Sequence, residues 1–370
     1  MARIESVRAD HYLIPLPAAL EDSMHGRMEG FEVVTARVRD ADGAEGVGYT
    51  FTCGVNGGAA ADILGREMAP RVAGRDADLI EAIWKDLWWA FHYGGRGGPT
   101  VLALSAFDMA LWDLKAKRAG LPLWRLLGGY DARVPCYAGG IDIHLSPEEL
   151  VEQTHTNRAK GHRSIKMKVG RERLREDVAK IAAMRDAFGP DMALMVDANM
   201  AYTVDAAVRA ARAFAEFDLV WFEEPIPPDD PLGHARVLRE GGVPVATGEN
   251  LRSLWDFRVL IETGGVSFPE PDVTNCGGVT PFMKIARLAE AFHLPVTSHG
   301  AHDITVQLPA GAVEPHETVR HTGRCRGAQV GGKLIGGIDG PKVEIVRVDM
   351  RAGHRLCGRG HRGRRACPHA

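Results

Sequence analysis

From about Arg133 onward the chain repeats a single unit. Short, β-rich apolar runs (VPCYAGG, SIKMKVG, ALMVDAN, LVWFEEP, VPVATGE, VSFPEPD and LPVTSHG) each end in polar residues. Between them lie helical patterns such as REDVAKIAAMRDAF, VDAAVRAARAFAEF and PFMKIARLAEAFH. Such alternation means parallel βαβ units, because parallel strands must be joined by a crossover. Seven units in succession predict a (β/α) barrel more than an open doubly wound sheet. At 370 residues the chain has room for that barrel and a second domain.

The second domain comes first in the sequence. RIESVRADHYLIPL and FEVVTARVRDADGAEGVGYTF alternate in the manner of strands, with ADG as hairpin-turn chemistry. ADILGREMAPRVAG, DADLIEAIWKDLWWAFHY and TVLALSAFDMALWDLKAKRAG read as helices, the last closing at Gly120 with a proline two residues on. Strands followed by helices predict an α+β domain over residues 1–127. LLGGYDARV marks the junction, and the barrel is expected over 128–307.

The barrel strands end in chemically specific residues: Lys166 and Lys168, Asp197, Glu223, Glu249, Asp272 and His299. From Lys168 the spacings are 29, 26, 26, 23 and 27 residues, each about one β/α unit. Equivalent places on consecutive barrel strands converge at the C-terminal face, where barrel active sites form. Asp197, Glu223 and Glu249 would then repel one another unless a cation intervened. An all-oxygen trio with open positions suits Mg²⁺ better than Zn²⁺. Any one of them alone is better explained as a helix cap or an arginine partner; three in register point to a metal.

In K-M-K, period-two alternation puts Lys166 and Lys168 on one face of their strand. Alternation alone allows that face to be solvent; the carboxylate strands beside it favour the interior. Beside a metal, both lysines should have depressed pKa values, and a neutral lysine is a base. His299 one unit after Asp272 fits a dyad in which the carboxylate fixes the ring's tautomer and raises its pKa. The lysines and the histidine would approach the mouth from different sides.

K-M-K, V-D-A-N, F-E-E-P, G-E-N, P-D and S-H-G, in this order, resemble the mandelate racemase-like subgroup of the enolase superfamily over about residues 1–307. The resemblance implies a modified (β/α)₇β TIM-like barrel under an N-terminal α+β capping domain. It implies Asp197, Glu223 and Glu249 as Mg²⁺ ligands, Lys168 as base with Lys166 its partner, and His299 with Asp272 as the second acid/base dyad. Asn199 matches a residue that contacts the substrate's carboxylate end. Glu249 as third ligand, and VTNCGG without a lysine, set the chain apart from the muconate lactonizing-like enzymes; the enolases themselves lack K-x-K.

DMALWDLKAKRAGLPLWRLLGG, SIKMKVG and TPFMKIARLAE further resemble sugar-acid dehydratases of the galactarate/talarate type. The implied activity is a Mg²⁺-dependent hydro-lyase that abstracts the proton α to a carboxylate through an enediolate. The same residues would serve a racemase or epimerase of a 2-hydroxy acid, and a binding-only homologue is the third reading. Substrate choice is expected in the capping loops AALEDSMHGRMEG (18–30), with His25 and Arg27, and FTCGVNGG (51–58).

Composition limits the partners. A net charge of −3 argues against nucleic acid, and no apolar run approaches the roughly 20 residues of a membrane span. The start lacks the apolar core of a secretory signal, so a cytoplasmic protein is expected, with a small carboxylate substrate and homo-oligomeric assembly. Without C-x-x-C or other paired spacing, Cys53, Cys136 and Cys276 are expected as reduced, structural thiols.

The end of the chain departs from this pattern. Residues 317–370 carry 12 Lys plus Arg against 4 Asp plus Glu, and three of the six cysteines. From about Leu308 the expected apolar helix is missing, and neither Glu314 nor Glu317 has the context of the family's final-strand glutamate. Residues 308–370 therefore read as an atypical basic segment, consistent with translation out of frame.

Overall fold

The computed structural model describes residues 2–131, 134–305, 307–308 and 346–348. The N-terminal part is a meander of β1 (Ile4–Asp22), β2 (Gly26–Asp40) and β3 (Glu45–Thr52), each antiparallel to the next. After it come α1 (Gly57–Asp62), a π-helical turn (Ile63–Met68), α2 (Ala69–Val72), α3 (Ile80–Ala90), α4 (Gly98–Ala119) and α5 (Leu123–Leu126).

Alternation along β2 sends Val34, Ala36 and Val38 into a core with Leu87 of α3 and Leu104, Phe107 and Leu111 of α4. Each large apolar side chain so buried contributes about 1.5–3 kcal/mol. Glycines in β3 let α4 lie directly on the sheet: a Cβ on Gly46 would meet Ala110 O at 2.0 Å, and one on Gly48 would meet Ala106 O at 2.2 Å. Helix α4 ends at Gly120, as its sequence predicts.

Residues 18–30, expected as a loop, are instead a hairpin. Strands β1 and β2 run through them, and the turn lies at Ser23–His25. Asp22 makes the turn: its Oδ1 accepts the backbone N–H groups of Met24 and His25, at 2.9 and 2.6 Å.

The barrel part alternates β4 (Ala138–Gly139), α6 (Pro147–Ala159), β5 (Ser164–Lys168), α7 (Leu174–Phe188), β6 (Ala193–Asp197), α8 (Val204–Phe214), β7 (Trp221–Glu223), α9 (Pro231–Gly241), β8 (Val245–Thr247), α10 (Leu254–Glu262), β9 (Phe268–Pro269) and α11 (Val279–Ala291). Neighbouring strands are parallel and follow sequence order, β4 through β9. Local signals set the helices. Ser146 and Glu149 form a reciprocal capping box on α6, and Thr203, Asp230 and Ser253 cap α8, α9 and α10.

LPVTSHG, the seventh expected strand, is reduced to a parallel bridge between Asp272 and His299 and one bond from Thr297 N to Pro269 O. Beyond it lie α12 (His302–Thr305) and β10 (Val346–Val348), the latter antiparallel to β1. The rest of the atypical 308–370 segment lies outside the described residues.

The two parts are joined by buried polar contacts. Trp84 donates to Gly277 O (2.8 Å), Gly277 N donates to Ser105 (2.9 Å), and the Asp108 carboxyl accepts from Thr280 N and Oγ1 at 2.9 and 2.6 Å. Burial still pushes Asp108 up to about 7, despite those donors. Cys53 and Cys276 are free thiols, whereas Cys136 is disulfide-bonded. The expected reduced thiol is thus overturned at Cys136. Among the described residues no helix is long and apolar enough to cross a membrane.

Candidate active site

Sheet register brings the strand ends together. Lys168 pairs with Asp197 and Asp197 with Glu223 on adjacent strands, while Glu249 stands two residues beyond β8. Asp197, Glu223 and Glu249 are all buried, and one oxygen from each lies within 4.8 Å of the others. All five residues of β5 are buried, so K-M-K does not face solvent. The Lys166 ammonium contacts Glu223 Oε1 and stands 3.5 Å from Asp197 Oδ2; Lys168 Nζ is 2.5 Å from that same oxygen.

These charges decide one another's protonation. Burial raises the Asp197 pKa, but Lys168 and Lys166 outweigh it and hold the group below the usual carboxylate range. Glu223, with burial and two neighbouring carboxylates against its charge, is pushed up to about 7. Without a cation on the carboxylates, the lysines shift upward. Burial lowers both, yet Glu223 and Asp197 reverse the effect, so Lys166 lies well above the ordinary lysine value and Lys168 above it. A cation held by those carboxylates would remove that compensation and leave burial in control.

At the other end of the trio, His299 Nδ1 lies 2.7 Å from Asp272 Oδ2, and Nε2 lies 3.3 Å from Glu249 Oε2. Thr274 N and Oγ1 hold the second Asp272 oxygen at 2.7 and 2.6 Å. Gly300 makes room for the dyad: its φ is 55°, and a Cβ there would meet Asp272 Oδ2 at 2.7 Å. Burial works against the imidazolium, but Glu249 and the Asp272 hydrogen bond prevail and raise its pKa to about 9. The lysines thus touch Asp197 and Glu223 while the histidine touches Glu249, an approach from two sides.

Asn199 is buried beside Asp197, in the left-handed region at φ 42°; its N–H donates to Asp197 Oδ1 (2.9 Å), and its amide oxygen has no partner. The capping hairpin reaches the rim, where Ser23 donates to Ala198 O at 2.6 Å. His25 is held by Asp22 (Nδ1 to Oδ2, 2.9 Å); that bond raises its pKa, and the fields of Glu249 and Lys168 reach it. Arg27 does not join the cluster: it is exposed and pairs with Glu29 along its own strand.

Sequence reasoning missed several residues around the trio. Trp221 donates its indole N–H to Glu223 Oε2 at 2.8 Å, and Asn250 donates to Glu224 Oε1 at 2.8 Å. Glu270 is wholly buried, with Tyr137 Oη 3.5 Å from one of its oxygens. Trp221 and Glu223 share a face at period two, the one signal that pointed to the indole. A cavity of about 900 Å³ opens at the opposite end of the strands, among Arg163, Met192, Val220 and Pro244, and contains none of the ionisable strand-end groups.

Two family models match: mandelate racemase / muconate lactonizing enzyme, N-terminal domain, over residues 11–128, and enolase C-terminal domain-like over residues 149–325. The second match runs beyond residue 307, where the sequence motifs stop. A 3,6-anhydro-alpha-L-galactonate cycloisomerase of Streptomyces coelicolor is 52% identical over 315 residues, 85% of this chain and 87% of that protein. A racemase from Streptomyces coelicolor A3(2) with bound magnesium superposes with a TM-score of 0.82 at 52% identity, over 84% of this chain and 87% of that one. L-talarate dehydratase from Polaromonas sp. JS666, complexed with Mg and L-glucarate, gives 0.81 at 36% identity, over 85% and 86%. Matched through both of its domains, the chain belongs to the mandelate racemase/muconate lactonizing enzyme group of the enolase superfamily.

Proposed function

We propose that this protein is a Mg²⁺-dependent enzyme that removes the proton α to the carboxylate of a sugar acid and expels the oxygen on the next carbon. Asp197, Glu223 and Glu249 would hold the cation. Their donor set is all oxygen, and one oxygen from each lies within 4.8 Å of the others. The cation supplies charge neutralisation at the substrate carboxylate, which acidifies the neighbouring C–H.

The chain's own residues supply the rest. Lys168, in its neutral form, takes the α proton on Nζ, and Lys166 beside it stabilises the negative charge that develops. Asn199 offers its unpartnered amide to the carboxylate end. His299, held by Asp272 at 2.7 Å, gives its proton to the departing oxygen as the C–O pair leaves with that oxygen. The enol left behind tautomerises to a 2-keto acid. The observation carrying this reading is that a lysine pair contacts Asp197 and Glu223 while His299 contacts Glu249 of the same carboxylate trio.

The departing oxygen separates two outcomes. With a free hydroxyl the reaction is a dehydration, as in the talarate dehydratase. With a 3,6-anhydro ring the ether oxygen leaves but stays attached through C6, so the product is an isomer. The 52% relative favours ring opening as the first substrate to test, with dehydration of an aldaric acid second. Return of the proton without elimination would be racemisation, the activity named for the solved Streptomyces protein.

Proton NMR of the purified protein in D₂O with Mg²⁺ distinguishes these outcomes, using 3,6-anhydro-L-galactonate, galactarate and L-talarate in parallel. A 2-keto-3-deoxy product from one of them is the expected result. Deuterium uptake at the α carbon without keto acid would replace elimination by racemisation. No turnover and no exchange across a wider set of aldonic and aldaric acids would overturn the catalytic reading.

A further inference from the structure

Trp221 lies on the same face of β7 as Glu223, and its indole N–H donates to Glu223 Oε2 across 2.8 Å in the buried interior. The other oxygen, Oε1, faces the Lys166 ammonium. These two donors differ in kind. An indole N–H neither ionises nor rotates away from its ring, whereas the lysine is a charged group on a flexible stem.

The ring itself is fixed. Trp221 is buried among Met195, Ala246 and Phe268, with Tyr137 edge-on at 5.5 Å and Phe268 tilted against it at 5.2 Å. Moving the indole means repacking three aromatic rings, so its N–H is a permanent claim on Oε2. Groups that orient a metal-binding carboxylate matter nearly as much as the ligand, because an unheld carboxylate rotates and loses its preorganised geometry.

We infer that Trp221 is a positioning residue for the divalent cation: its indole pins Glu223 Oε2 and so presents Oε1 to the Asp197–Glu249 side. The inference rests on the metal reading above and deepens it, since no contact between Trp221 and the cation or the substrate is required. Its consequence is specific to the N–H. A side chain that fills the same space without that proton keeps the fold and loses cation affinity.

Two variants test it. Trp221→Phe removes the N–H and part of the volume. Replacement of Trp221 by benzothienylalanine, which has sulfur in place of the N–H, removes the donor and keeps the shape. Mg²⁺ affinity is read by isothermal titration calorimetry, with folding checked by the thermal midpoint in EDTA. Both variants are expected to bind Mg²⁺ about 10–100-fold more weakly, and the sulfur analogue to melt in EDTA as the parent does. Weakening of less than fivefold in the sulfur analogue overturns the inference, even if Trp221→Phe is impaired, since packing would then be the cause. Failure of the unsubstituted chain to bind Mg²⁺ overturns the metal reading itself and this inference with it.

Discussion

Lys168 and His299 serve the same three carboxylates, but they reach them from different kinds of structure. The lysine belongs to β5, whose register with β6 puts it opposite Asp197; it is buried and ion-paired at 2.5 Å. The histidine lies on a segment that makes one parallel bridge, at His299 itself, and one bond from Thr297 N, and it contacts two carboxylates, Asp272 and Glu249, beside a glycine with positive φ. Its side chain is 31% exposed, against 9% for Lys168. The lysine side is therefore placed by a continuous strand pairing, and the histidine side by a single bridge together with the carboxylates of Asp272 and Glu249. Substitutions should affect the two sides differently.

The largest effect is expected from Lys168→Met, which should lower kcat by about 10²–10⁴ and abolish deuterium exchange at the α carbon as well. His299→Asn should lower elimination by a similar factor while leaving exchange measurable, because the abstracting lysine is intact. The two rates come from one NMR time course. Loss of exchange in both variants would show that the sides do not act independently.

Acidity comes next. His299 is held protonated up to about 9 by Glu249 and Asp272 against the pull of burial, so a protonated donor is lost as the pH rises through that value. Asp272→Asn removes one of the two supports. The alkaline limb of the kcat/KM profile should then move downward, towards the ordinary histidine value of about 6.5. An unmoved limb would assign it to another group. Gly300→Ala should follow with a smaller loss. It forces a Cβ to 2.7 Å from Asp272 Oδ2 in the left-handed region, which costs about 1–3 kcal/mol, readable as a lower thermal midpoint.

The same contrast governs what the sequence could reveal. Residues placed by strand register were legible because consecutive β/α units repeat their spacing, and that spacing located Asp197, Glu223 and Glu249. K-M-K was ambiguous by alternation, since a strand of a parallel sheet is covered on both faces and every residue of Ser164–Lys168 is buried. Contacts made across space left no such period. Asp22 turning the 18–30 segment into a hairpin, Trp221 pinning Glu223 and Asp108 holding Thr280 each join residues whose types alone do not announce the bond. The lysine pKa values turn on the same approach: with no cation on the carboxylates, Glu223 and Asp197 raise both, whereas the expected depression applies beside a metal.

The capping hairpin offers the smallest and sharpest contrast, between two residues one position apart from a shared neighbour. His25 is fixed by buried Asp22 and feels the charges of Glu249 and Lys168, and we propose it as the hairpin's substrate contact. Arg27 is exposed and spends its charge on exposed Glu29, a pair worth about 0–1 kcal/mol. His25→Gln should therefore raise KM for the sugar acid about fivefold with kcat changed less than twofold, as expected for one hydrogen bond of about 1 kcal/mol. Arg27→Ala should leave KM, kcat and the thermal midpoint nearly unchanged. If Arg27→Ala instead raised KM as much as His25→Gln, the pair with Glu29 would have to break on binding. The hairpin would then close over the substrate with both cations turned inward, rather than with the histidine alone.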